Sequence, residues 1–78
     1  MPDTDFFFKT QINSITKELK ELHSMKKNLT NFAFQQTING KLRRIDFQRI
    51  ISEVESISNQ IVYLESLRND YNNMIESI

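Results

Sequence analysis

Between Phe47 and Ile78 the apolar residues recur at alternating steps of three and four: Phe47, Ile50, Val54, Ile57, Ile61, Leu64, Tyr71, Ile75 and Ile78. Only Arg68 interrupts the series. Such steps keep one stripe of a helix apolar and match the heptad seam of a coiled coil. Ile51, Leu67 and Met74 stand beside the stripe and widen it, so it can face more than one neighbour. The first half has the same rhythm in Phe8, Ile12, Ile15, Leu19, Leu22, Met25 or Lys26, Leu29 and Phe32. The spacing predicts one helix over about 4–31 and another over about 46–78, each roughly 40–50 Å long at the helical rise of about 1.5 Å per residue. Asp3 or Thr4 can cap the first and Asp46 the second, because their side-chain oxygens can accept from free N–H groups of a first turn.

Two such stripes joined near the chain midpoint predict an antiparallel helical hairpin. Folding at Asn39-Gly40 sets Phe8 against Tyr71, Ile12 against Leu67, Ile15 against Leu64 and Leu22 against Ile57. Met25 then meets Val54, Leu29 meets Ile50, and Phe32 meets Phe47. Lys9 falls opposite Asp70 and Lys26 opposite Glu53, while Leu19 is a misfit facing Gln60. Turn signal, midpoint and apolar matching agree, which is the mark of a specified fold.

The tip, about 32–45, has two readings. Asn39-Gly40 suits a two-residue type I′ turn, whose central residues need positive φ. Phe34 then pairs with Ile45, Gln36 with Arg43 and Ile38 with Lys41 on one face of a small β-hairpin. Ala33 with Asp46, Gln35 with Arg44 and Thr37 with Leu42 lie on the other. Alternatively Ile38, Leu42 and Ile45 continue the helical spacing, and Asn39 and Gly40 end one helix before the next. The β-hairpin is the expectation and the helical turn its alternative. The helix–hairpin–helix layout resembles a short β-type prefoldin subunit, in which two coiled-coil helices are joined by a β-hairpin used in assembly. The resemblance is one of layout along the whole chain, carried by no specific motif, and it implies a chaperone as one reading.

Composition narrows the function. Seventy-eight residues make one domain (1–78) and a small core, and no cysteine is present to staple it. Oligomerisation is the remaining common source of stability. Gly40, Pro2 and Ala33 are the sole residues of their types, and Ile, Asn and Lys abound. That bias points to an AT-rich genome, such as a low-GC bacterium or a virus. Phe6-Phe7-Phe8 is too short for a signal or membrane segment, so the expected place is the cytoplasm, of a host cell or a virion if viral.

The net charge of zero hides an uneven distribution. Lys41, Arg43, Arg44 and Arg49 cluster at the tip, while Glu53, Glu55, Glu65, Asp70 and Glu76 make the second arm acidic. The basic group is a candidate contact for nucleic acid or another anion. The plainer reading is a solvated tip.

Catalysis is not expected. His23 has Leu19 and Lys27 as its neighbours one turn away, so a catalytic acid would have to come from the other arm. One histidine and no cysteine leave no metal set, and one glycine cannot build a phosphate loop. No cofactor is expected. Arg68 within a seam is costly unless it reaches solvent or a carboxylate, with Glu65 and Asp5 in range, and such residues often set register or oligomer number. Phe6, Phe7 and Phe8 cannot all face one helix, so at least one is expected on a second subunit or another protein. The sequence thus predicts a non-enzymatic, self-associating protein–protein interaction module, with a dimer favoured. Its contacts would be Phe6, Phe7, Phe8, Ile51, Leu67, Arg68, Tyr71 and Met74. An adaptor, assembly factor, structural component or inhibitor would fit.

Overall fold

The structure is a computed structural model and describes residues 2–41 and 43–77. Two helices hold nearly all of them: α1, Pro2–Ile38, and α2, Arg44–Ser77. They pack along each other as a hairpin of 58 × 14 × 13 Å. Pro2 opens α1, where a missing N–H costs nothing. Asp3 and Thr4 therefore lie inside the first turn. Leu42 and Ile78, both placed in apolar patterns by the sequence, lie outside the described residues.

α1 does not stop near residue 31. It continues through 32–38, and no strand occurs among the described residues. The expected β-hairpin is corrected to a helical turn. A type I′ turn needs positive φ at Asn39 as well as Gly40, and only Gly40 has it, at 67°. Lys41 N–H donates to the Gln36 carbonyl at 3.0 Å, and Gly40 N–H to the Thr37 carbonyl at 3.1 Å. This crossed pair is the Schellman ending of a helix, with glycine just past the cap. A lone two-stranded ribbon is marginal in water, whereas continued helix buries Ala33 and Ile50 in the seam. With the ribbon goes the feature on which the likeness to prefoldin subunits rested.

Gly40→Ala isolates the cost of that turn. A Cβ there would meet nothing within 4 Å, so any loss comes from backbone strain alone. The expected loss is about 1–2 kcal/mol, read by urea unfolding, with Gly40→Asn losing less. An unchanged midpoint for Gly40→Ala would contradict the left-handed turn.

α2 starts three residues earlier than Asp46 as its cap predicts. The Phe47 N–H reaches the Arg43 carbonyl at 2.9 Å, so Arg43 is the cap residue. Asp46 lies within the first turn, where its charge favours the positive end of the helix. It also accepts from Arg43 Nε at 3.3 Å.

The longer connection moves the fold-back point beyond Gly40 and slides the register. Thr30, Ala33 and Thr37 share a groove with Phe47, Ile50, Ile51 and Val54. Arg68 reaches Thr16, and His23 lies near Glu65. From Thr16 to the tip, α1 residues meet α2 about one helical turn further along than a two-residue turn predicts. A slide of one turn keeps stripe on stripe, so apolar matching survives. It also removes the misfit. Leu19 is the most buried side chain among the described residues, 4% exposed, clustered with Ile15, Leu22, Ile57 and Ile61. Leu29, Leu64, Leu67 and Tyr71 pack against this cluster. Ala33 takes the seam place expected of Phe32, and Lys26 rather than Met25 is half-buried there. Phe8 and Tyr71 do meet, with ring centroids 5.5 Å apart. Lys9, placed opposite Asp70 by the sequence, pairs instead with Asp5 at 2.9 Å.

Arg68 occupies the seam half-buried, yet neither expected carboxylate reaches it. Its Nη1 donates to Thr16 Oγ1 at 3.4 Å, a long bond. A charge held this way contributes little net stability. Arg68→Leu is therefore expected to hold or raise the melting temperature of the chain. A clear fall in thermal unfolding would show that the Thr16 contact matters more than its geometry indicates.

Candidate functional site

The seam divides the surface into two edges. On one, α1 presents Thr16, His23, Thr30 and Phe34, and α2 presents Arg68, Glu65, Ile51 and Phe47. Towards the tip this edge opens into a groove of about 390 Å³ lined by Thr30, Ala33, Phe34, Thr37, Phe47, Ile50, Ile51 and Val54. The lining is apolar but for the two threonines. Thr37 turns its hydroxyl back to the Ala33 carbonyl at 2.8 Å, and Thr30 to that of Lys26, also at 2.8 Å. Both hydroxyls are thus satisfied within α1, and their methyl groups complete the apolar lining. Phe34 is 66% exposed, Phe47 44% and Ile51 40%, so the groove walls face solvent.

The other edge carries shallower, more polar recesses. One involves Glu18, Gln60, Tyr63 and Leu64, and a second Thr4, Phe8, Asp70 and Met74. A third joins Phe32, Gln36, Lys41, Asp46 and Arg49 near the tip.

The residues that widen the α2 stripe therefore do not form one face. Ile51 belongs to the first edge near the tip, Met74 to the second near the open end. Leu67 and Tyr71 pack inward on the core, and Arg68 lies in the seam. The three phenylalanines also separate. Phe8 packs on Tyr71 and takes the ring of Phe7 edge-on at 5.7 Å. Phe6 is 73% exposed, and Phe7 is exposed as well.

The four tip cations are all exposed and do not converge. Lys41 and Arg49 border one recess, Arg43 is engaged with Asp46, and Arg44 shares the heptad position of Ile51 on the opposite edge.

The other arm does supply His23 with an acid. Glu65 Oε1 lies 3.7 Å from His23 Nε2, beyond hydrogen-bond distance, with both side chains about half exposed. Among the described residues no three His, Cys, Asp or Glu side chains gather as a metal site would require. No helix there is long and apolar enough to cross a membrane.

Sequence reasoning missed the groove. It assigned Phe34 and Thr37 to strands and Phe47 to the seam. The signal was present in the helical spacings Thr30–Phe34 and Phe47–Ile51, each one turn apart. Comparison with protein-family models, curated proteins and solved structures finds no match for the chain.

Proposed function

We propose that this chain is a non-enzymatic protein–protein interaction module that acts as a self-associated helical hairpin, with a dimer as its working unit. Adaptor, assembly factor, structural component and inhibitor are the roles such a module serves. One observation carries the reading. The hairpin leaves Phe6, Phe34, Ile38, Ile45 and Phe47 open to solvent while no large described side chain is fully buried. Two helices cannot surround a core, and a second pair of helices would complete one. Contiguous apolar surface, such as Phe34, Phe47 and Ile51 make along the tip groove, marks interaction sites. Light scattering across the micromolar range tests the reading. The expected mass is that of two chains, and a folded monomer throughout would overturn it.

A second reading rests on Lys41 and Arg49, which border the same recess at the tip. Such a pair suits a phosphate group of a nucleic acid. Binding there would fall steeply with salt and would weaken in Arg49→Ala. Absence of binding to nucleic acid at low salt would remove it.

A further inference from the structure

We propose that the tip groove is filled by the N-terminal turn of a second copy of this chain, with Phe6 as the inserted side chain, in an antiparallel dimer. The proposal rests on the self-association argued above and assigns its geometry. The groove calls for an apolar side chain of aromatic size, since Phe34, Phe47, Ile51 and Val54 line it. The chain carries that side chain at its other end. Among the described residues Phe6 is the most exposed of the large apolar side chains, and none of them covers it within its own hairpin. Phe7, by contrast, lies edge-on against Phe8.

Charge supports the same pairing. Arg43, paired with Asp46, and Arg44 stand at the tip, and Lys27 shares the heptad position of Phe34 along the groove. At the open end, Asp3 and Asp5 precede Phe6, and Glu76 stands on α2. Lys9, paired with Asp5, and Arg68 offset part of that charge and leave the end acidic. Opposite charges then meet at both ends of an antiparallel pair. A parallel pair would set two basic tips side by side.

The arrangement also closes. Groove and open end are separated by most of the 58 Å length, so no chain can fill its own groove. Phe6 shares the heptad position of Phe34, which places it on the edge that carries the groove. A two-fold axis across the middle of the hairpin therefore brings each Phe6 to the other copy's groove in one step, and no site is left over for further copies. A strip 58 Å long and 14 Å wide is comparable with the ~800 Å² per partner of a standard stable interface.

The absence of cysteine makes the test direct. Gln35→Cys places one spin label on the exposed outer side of each tip. Pulsed dipolar spectroscopy is expected to give a label separation on the order of 40 Å, from helices rising about 1.5 Å per residue. Adding Phe6→Ser is expected to weaken dimerisation by ~30-fold or more, as for a central aromatic anchor. Its helicity at high concentration should be retained, because Phe6 supports nothing in its own hairpin. A short label separation would overturn the antiparallel geometry and leave self-association standing. No dipolar signal together with a monomer mass would overturn both. A long separation with undiminished affinity in Phe6→Ser would overturn the groove assignment.

Discussion

Leu19→Ala is expected to lower the melting temperature by ~10–30 °C and to leave much of the chain unfolded at physiological temperature. Leu19 is the most buried described side chain and sits at the middle of the core cluster, among Ile15, Leu22, Ile57 and Ile61. Truncating a buried leucine costs about 2–5 kcal/mol, since the lost transfer energy is joined by a cavity the surroundings cannot close. In a chain of this size each kcal/mol moves the midpoint by roughly 4–8 °C. Total stability at this length is on the order of 4–12 kcal/mol, so the substitution removes a large part of it. Val62→Ala is the control, because Val62 is exposed on the outer side of α2. Thermal unfolding by circular dichroism should separate the two variants widely. Equal effects would mean that the seam does not run where Leu19 places it.

Phe34→Asp is expected to act on association rather than on the hairpin. Phe34 forms a wall of the tip groove and remains largely exposed, so the change leaves the Leu19 cluster untouched. In the associated state a carboxylate would be carried into an apolar contact without a designated partner. Such a burial is strongly unfavourable, and a weakening of self-association by ~100-fold or more is expected at a central apolar contact. Sedimentation should show a monomer at concentrations where the parent chain is paired. Helicity at low concentration should match that of the parent chain diluted to the same point. Retained pairing in Phe34→Asp would move the interface away from the groove. Loss of helix at every concentration would instead assign Phe34 to the fold.

The contrast between these two residues shows what was legible in the sequence. The alternating steps from Phe8 to Leu29 and from Phe47 to Ile75 report a helical period strongly enough to establish both arms and their antiparallel packing. The tip was ambiguous because Asn39-Gly40 is a good signal for two different turns. Gly40 serves equally as the second residue of a type I′ turn and as the residue past a helix cap, and the φ of Asn39 and the Gln36–Lys41 bond separate them. The register was hidden for a related reason. Heptad stripes match themselves after about one turn, so a slide is nearly invisible to apolar matching, and the length of the connection decides it. Leu19 opposite Gln60 was the one residue that reported the wrong register. Arg68 was legible as a seam charge, while its Thr16 partner depended on that same slide. The groove required knowing that α1 reaches Ile38, because a strand at 32–38 would have scattered Phe34 and Thr37 onto opposite faces.

The central claim is that a second copy completes a core that one hairpin leaves thin. The most direct measurement is the melting temperature as a function of protein concentration. Pairing of folded chains stabilises them by mass action, so the midpoint should climb steadily with concentration. Phe34→Asp should flatten that climb. A parent chain whose midpoint stays constant across the same range, with the mass of a single folded hairpin, would contradict the account.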